Sequence, residues 1–242
     1  QELQCAARYV ESLLPVPGMV LPGVELAHTY RPSLALGGDL YNVVRCGEDL
    51  LGLYLLDASG HGVSSALRSA SFATFLREDS LLRHVGSRDP GAILTEANRL
   101  FPLTEGGDYF TILVARLDVR AQRIFYAAAG HSGVCVQRRT GAVDWLAKPS
   151  LPLGFDPNRV YRTEEASFLV GERFYVFSDG LYEVPNSVGE IWGKDRLASV
   201  LRETTTRPLK EVLSSLVEEA SRWSGLDRFP DDVALVGIEL NG

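Results

Sequence analysis

Residues 34–62 read LALGGDLYNVVRCGEDLLGLYLLDASGHG, and this stretch decides the fold. Two apolar runs, at 40–46 and 50–56, flank Gly47-Glu48-Asp49. Short β-rich runs about a Gly/Asp turn mark a β-hairpin. With the turn centred on Glu48, partner residue numbers sum to 96, so Leu50 faces Cys46 and Asp57 faces Asp39. Facing residues hold their Cβ atoms about 4.5–5.5 Å apart. Two carboxylates that close repel unless a proton or a cation lies between them. A two-residue loop would pair Asp39 with Ala58 instead, which still leaves the acids as near neighbours. Ser59-Gly60-His61-Gly62 follows, too glycine-rich for strand packing. An Asp beside Gly is by itself a turn-former; the facing geometry and further acidic clusters downstream favour a metal site at the open end of the hairpin.

Working outward, Leu3, Ala6, Ala7, Val10, Leu13 and Leu14 fall at helical spacing before Pro15. They predict an amphipathic, linker-type helix over 1–16. A strand is expected over 24–30, stopped by Arg31-Pro32. After the hairpin, a helix with a small-residue face is expected over 63–82, and Asp89-Pro90 suits the N-cap and first turn of another. The period then switches to β-like runs at 109–117, 123–129, 134–137, 143–146 and 173–177. An apolar stripe from Leu209 to Trp223 lies between Pro208 and Gly225, and Asp231-Asp232 opens a buried-strand pattern over 233–240. Hairpins mixed with paired helices predict an α+β fold. The expected build is a layered α/β/β/α arrangement of two packed antiparallel sheets flanked by helix pairs, one domain over 17–242.

Composition narrows the function. Of 242 residues, 45% are hydrophobic and 23% charged, an ordinary globular balance. The net charge of −7 comes with no basic run, which leaves nucleic-acid binding without a footprint. Cys5, Cys46 and Cys135 are odd in number and widely spaced, which argues against a disulfide framework and against a zinc ribbon and suits a reducing cytoplasm. No apolar run approaches the roughly 20 residues that span a bilayer. The opening Gln1-Glu2 gives no signal-peptide pattern, and a first residue other than Met is what a fragment would show.

Four acidic marks remain, Asp39, Asp57, Asp179 and the pair Asp231-Asp232, each at a strand beginning or end. Such edge positions let several side chains converge at one rim. Clusters with oxygen donors alone suit Mg²⁺ and Mn²⁺ rather than zinc. Two such ions activate water near neutral pH, which makes phosphate-ester hydrolysis the natural chemistry.

The ordered motifs resemble the SpoIIE/RsbU-type serine phosphatase domain, a bacterial branch of the PPM (type-2C) protein phosphatases. They are Gly37-Gly38-Asp39-Leu40-Tyr41, Asp57-Ala58-Ser59-Gly60-His61-Gly62, Ala129-Gly130-His131 with Leu153-Gly154, Ser178-Asp179-Gly180 with Glu183, and Asp231-Asp232-Val233. The resemblance implies two Mn²⁺ or Mg²⁺ ions, with Asp57 bridging, the Ala58 carbonyl contributing, and Asp39, Asp179 and Asp231 completing the set. Asp39 and Asp57 are then the catalytic residues, and Asp232 holds a water or a neighbouring ligand. It also implies direct attack of water on phosphorus without a phosphoenzyme. One departure stands out: Asn42 replaces an acid found in many relatives, so weaker occupancy of one metal site is expected.

His61 either protonates the leaving oxygen or orders the glycine loop; His131 is read as structural at a strand corner. The sequence lacks the spacing of a nucleophile elbow around Ser132 and the third glycine of a dinucleotide loop after Gly62. The resemblance points to a phosphorylated STAS-domain anti-sigma-factor antagonist as substrate. An upstream receiver or sensor module and a homodimer through the N-terminal helix are its other expected partners, in the cytoplasm and without nucleic-acid or membrane contact. The alternative is a catalytically weak adaptor of the same fold, acting by protein binding.

Overall fold

The computed structural model describes residues 9–10, 12–15, 21–60, 62–77, 81, 85–103 and 107–241. Ten strands follow one another among them: β1 (Val24–Arg31), β2 (Leu40–Arg45), β3 (Leu50–Ala58), β4 (Phe110–Asp118), β5 (Arg123–Ala129), β6 (Val134–Gln137), β7 (Val143–Trp145), β8 (Glu164–Ser167), β9 (Arg173–Phe177) and β10 (Val233–Leu240). The helices are α1 (Val63–Phe75), α2 (Pro90–Leu100), α3 (Asp179–Tyr182), α4 (Gly193–Glu203) and α5 (Leu209–Ser224). The strands form two five-stranded sheets, in the orders β2-β3-β4-β5-β8 and β1-β10-β9-β6-β7. Every strand pair in both is antiparallel. The α+β class expected from the sequence is the one observed.

The chain divides into two compact units, each built from separated stretches. One holds residues up to Leu21, Leu34–Ser132 and Lys148–Ser167; the other holds Pro22–Ser33, Gly133–Ala147 and Phe168–Gly242. The first unit carries the β2–β3 hairpin in the register read from the sequence. Leu40 pairs with Leu56 and Arg45 with Leu51, and the Cys46 amide closes the turn on the Leu50 carbonyl at 2.8 Å. The helix-facing core of this unit is aromatic. The Phe72 ring on α1 lies 4.4 Å from Phe101 and 5.1 Å from Phe110 between centroids. Such ring pairs add about 0.5–1.5 kcal/mol beyond the area they bury. α2 is fixed at its start by Asp89, whose Oδ1 caps the Ala92 amide at 2.9 Å while Oδ2 accepts from Thr163 Oγ1 at 2.6 Å.

The second unit has its own core. α5 buries Leu209, Val212, Leu213, Leu216 and Ala220, facing β1 and β10. Its limits are those the sequence marks: Pro208 at the N-cap and Gly225 at the C-cap, left-handed with φ 63°. That conformation is open to glycine at little cost and ends the helix.

Some elements differ from expectation. α1 stops at Phe75 rather than reaching residue 82, because the Arg77 amide turns back to the Thr74 carbonyl; residues 78–80 and 82–84 lie outside the described ones. β8, sequence EEAS, has no alternating pattern and is a strand only because it pairs with the edge of β5. α4 buries only Leu197, Ala198 and Leu201, too sparse a stripe to stand out. Of the helix expected over 1–16, Tyr9 and Val10 are helical, residues 12–14 form a turn, and the remainder falls mostly outside the described residues. Val10 is buried in the first unit's core. Among the described residues no helix is long and apolar enough to cross a membrane.

Candidate metal centre

The hairpin delivers the first pair of carboxylates. Asp39 immediately precedes β2 and Asp57 is the next-to-last residue of β3, one step beyond the Leu40–Leu56 pair, so they stand opposite each other at the hairpin's open end. Asp39 is buried and Asp57 half-buried. Thr111 on β4, the register partner of Asp57, donates its hydroxyl to Asp57 Oδ2 at 3.3 Å. The Tyr41 phenol is held protonated well above its ordinary value, first by burial and then by the charge of Asp39. A Cβ on Gly38 would come within 3.0 Å of the Ala58 carbonyl oxygen, so the backbone before Asp39 is held close to that carbonyl. The Ser69 hydroxyl on α1 donates to the Gly38 carbonyl, tying the start of β2 to the helix that follows the glycine loop.

That loop leaves β3 through a reciprocal clasp. The Ser59 amide donates to the Tyr109 carbonyl at 3.0 Å and the Tyr109 amide to Ser59 Oγ at 2.8 Å. Gly60 and Gly62 then take φ of 85° and 88°, which side chains resist.

The second unit presents the second pair. Asp179 opens α3 directly after β9, and Asp231 sits two residues before β10. Ser178 locks these two strand ends together. Its amide donates to the Ala234 carbonyl at 2.9 Å, and its hydroxyl accepts from the Ala234 amide at 2.8 Å while lying 3.1 Å from the Asp232 carbonyl as donor. Asp232 turns inward, where its Oδ1 accepts from the Ser33 amide at 2.7 Å and the Ser33 hydroxyl at 2.9 Å. The Asp231 carboxylate accepts from the Asp232 amide at 2.7 Å, which leaves it at the surface end of the turn. The approach is so close that a Cβ on Gly180 would lie 2.1 Å from the Asp232 carbonyl oxygen.

The second pair crowds negative charge. The Asp179 carboxyl is pushed up to about 6, by burial first and then by the charges of Glu183 and Asp231. Like charges crowded around a half-buried acid are relieved by a proton or by a metal ion. Only oxygen donors are offered, which fits Mg²⁺ or Mn²⁺. The carboxylates come in pairs; among the described residues no group of three or more His, Cys, Asp or Glu side chains is arranged to hold a metal ion.

Other sequence-marked residues are used differently. Asn42 is not directed to the acids. Its Nδ2 donates to the Leu13 carbonyl at 3.0 Å and its Oδ1 accepts from the Val43 amide at 2.8 Å, so the amide anchors the N-terminal segment. These bonds give Asn42 a structural role; the expected weaker occupancy of one metal site rests on the charge that the amide lacks. His131 is buried just after β5. His61 lies outside the described residues. Thr111 and Ser33 escape sequence reading and Ser178 is read only as part of its motif, since a lone hydroxyl's role is legible only once its register partner is known.

The chain matches the family model "Stage II sporulation protein E (SpoIIE)" over residues 47–241. It is a member of the SpoIIE family. The match covers most of the chain and includes Asp57, Asp179 and Asp231, while Asp39 lies just before it. Members are metal-dependent serine/threonine protein phosphatases of the PP2C type. Phosphoserine phosphatase RsbP of Bacillus subtilis is 27% identical over 245 residues, covering 99% of this chain and 58% of that protein. This SpoIIE-family chain spans about half the length of the curated relatives it matches. Among solved structures, the SiaA-PP2C domain of Pseudomonas aeruginosa superposes with a TM-score of 0.86 at 24% identity, covering 99% of this chain and 96% of that one. RsbX in complex with magnesium gives 0.65 at 17%, covering 90% and 94%. The fold is that of the PP2C phosphatases.

Proposed function

We propose that this SpoIIE-family chain is an active Mn²⁺- or Mg²⁺-dependent phosphatase that hydrolyses phosphoserine or phosphothreonine on a small partner protein. Its substrate is a phosphorylated anti-sigma-factor antagonist of the STAS type, in a cytoplasmic partner-switching pathway. The observation that carries the reading is the hairpin register that sets Asp57 opposite Asp39 beside the Ala58 carbonyl. Family membership and the phosphoserine-phosphatase name of RsbP support the substrate class.

Asp39, Asp57, the Ala58 carbonyl, Asp179 and Asp231 would hold two ions. When bound, the ions supply an activated water and offset the charge that develops on the phosphoryl group. The chain's own share is positional. Thr111 fixes the rotamer of Asp57, and Ser178 sets the spacing of Asp179 from Asp231 by clasping β9 to β10. Ser33 holds Asp232 inward, so that the preceding carboxylate is the one turned outward.

Residues 1–16 serve as the linker to an upstream receiver or sensor module and as the segment through which two chains pair; residues 17–242 are the catalytic domain. The burial of Val10 and the bond from Asn42 to Leu13 support docking of this linker on the first unit.

The test is phosphate release from a phosphorylated STAS-domain protein with Mn²⁺ and with a chelator. Release that needs the metal and disappears in Asp57→Asn supports the proposal. Tight partner binding without turnover under any metal overturns it in favour of the adaptor.

A further inference from the structure

A cavity of about 210 Å³ lies in the first unit between the helix-facing side of the β2-β3-β4 sheet and helices α1 and α2. Its floor is two cross-strand rows of the sheet. Asn42, Tyr54 and Val114 form one row, and Val44, Gly52 and Arg116 the next. Gly52 keeps the floor low: a Cβ there would meet Cys46 Sγ at 2.9 Å and Val44 Cγ2 at 3.3 Å, so those two side chains pack directly against its backbone. Ala73 of α1, Leu76 at its C-cap and Ile93 of α2 make an apolar roof.

The charge around this apolar space has one sign. Arg45, Arg77, Arg88 and Arg116 line it, and no carboxylate does among the described residues. Arg116 is the informative one. Its guanidinium stacks over the Phe125 ring at 4.7 Å, and its Nε is buried with no hydrogen-bond partner among the described residues. A buried N–H without an acceptor is expensive, and a charged one more so. The chain whose net charge is −7 thus gathers four arginines around an apolar pocket.

We infer that this cavity binds a small amphipathic anion, with a carboxylate or phosphate head on the Arg116 guanidinium and an apolar tail under α1. The volume equals that of about seven waters at roughly 30 Å³ each, which sets the tail at on the order of eight carbon atoms. The head supplies the acceptor that Arg116 Nε lacks; the tail lies against the apolar roof of Ala73, Leu76 and Ile93. This site is independent of the phosphatase reading.

Octanoate, octyl phosphate and uncharged octanol, titrated into the 242-residue protein by calorimetry, separate the possibilities. The two anions should bind saturably at one per chain and octanol about tenfold more weakly, since a charge-assisted hydrogen bond is lost. Octyl phosphate against octanoate shows which head group the arginines prefer; binding of either supports the site. Arg116→Gln should weaken both anions about tenfold and leave octanol unchanged. Val44→Trp, at a partly exposed position that tolerates the larger ring, should abolish all binding by filling the cavity while circular dichroism stays native. Absence of saturable binding to the wild type overturns the inference. So does octanol binding as well as octanoate, or anion binding that survives Val44→Trp.

Discussion

Substitution of Gly180 by alanine tests how the second acidic pair is held. Its Cβ would lie 2.1 Å from the Asp232 carbonyl oxygen, 3.0 Å from the Asp232 carbonyl carbon and 3.2 Å from that of Asp231. The neighbour is backbone clasped by Ser178, so no rotamer change relieves the overlap. Either α3 or the 231–232 turn must retreat by about 1 Å to reach ordinary contact. Overpacking of this kind costs about 1–3 kcal/mol, which in a chain of this length lowers Tm by roughly 2–12 °C. The functional effect should be larger than the thermal one. A displacement of about 1 Å between positioning groups can reduce a catalytic rate by about 10²-fold. The assays are differential scanning calorimetry and Mn²⁺-dependent phosphate release on the same preparation. A Gly180→Ala protein with wild-type Tm and wild-type release would refute the claim that this contact sets the spacing of Asp179 from Asp231.

Four further substitutions probe the framework of the two units. Asn98 is buried and bridges two backbone groups, donating to the Asp156 carbonyl and accepting from the Gly154 amide, each at 2.8 Å. Asn98→Ala strands both and should destabilise by about 2–4 kcal/mol in urea unfolding. Arg138 joins Asp144 at 2.7 Å to buried Glu172 at 2.9 Å, so Arg138→Met leaves Glu172 uncompensated and should cost about 2–4 kcal/mol. Exposed Lys148→Met, which breaks the bridge to Glu164, should leave Tm unchanged. Burial on β1 lowers the proton affinity of His28 below its ordinary value of 6.5. As pH falls through that value the unfolded chain takes up the proton first, so stability drops there and is unaffected above it. Melting scans from pH 7.5 to 5.5 should show His28→Asn losing less stability than wild type over that window.

How much of this was legible in the sequence depends on whether a feature is local. The β2–β3 register follows from alternation and one turn, and the spacing that predicts Asp39 opposite Asp57 is the spacing found. α5 is equally local, since Pro208 and Gly225 bracket an unbroken apolar stripe. β8 was not legible, because EEAS becomes a strand only through hydrogen bonds supplied by β5, residues distant in sequence. Asn42 shows the same limit at the site. Its motif position suggested a metal role, yet its partner is a carbonyl 29 residues away on a segment with no pattern that announces the contact. Motifs mark which carboxylates matter; the hydroxyls that aim them, Thr111 and Ser178, emerge only from the pairing of strands.

The central proposal is that Asp39, Asp57, Asp179 and Asp231 are metal ligands, and Mn²⁺ binding measures this without any substrate. Equilibrium titration of the wild-type chain should give two ions, with Asp57→Asn and Asp179→Asn each lowering occupancy although they come from different sheets. Wild-type occupancy in both variants, or loss in one and none in the other, would contradict it.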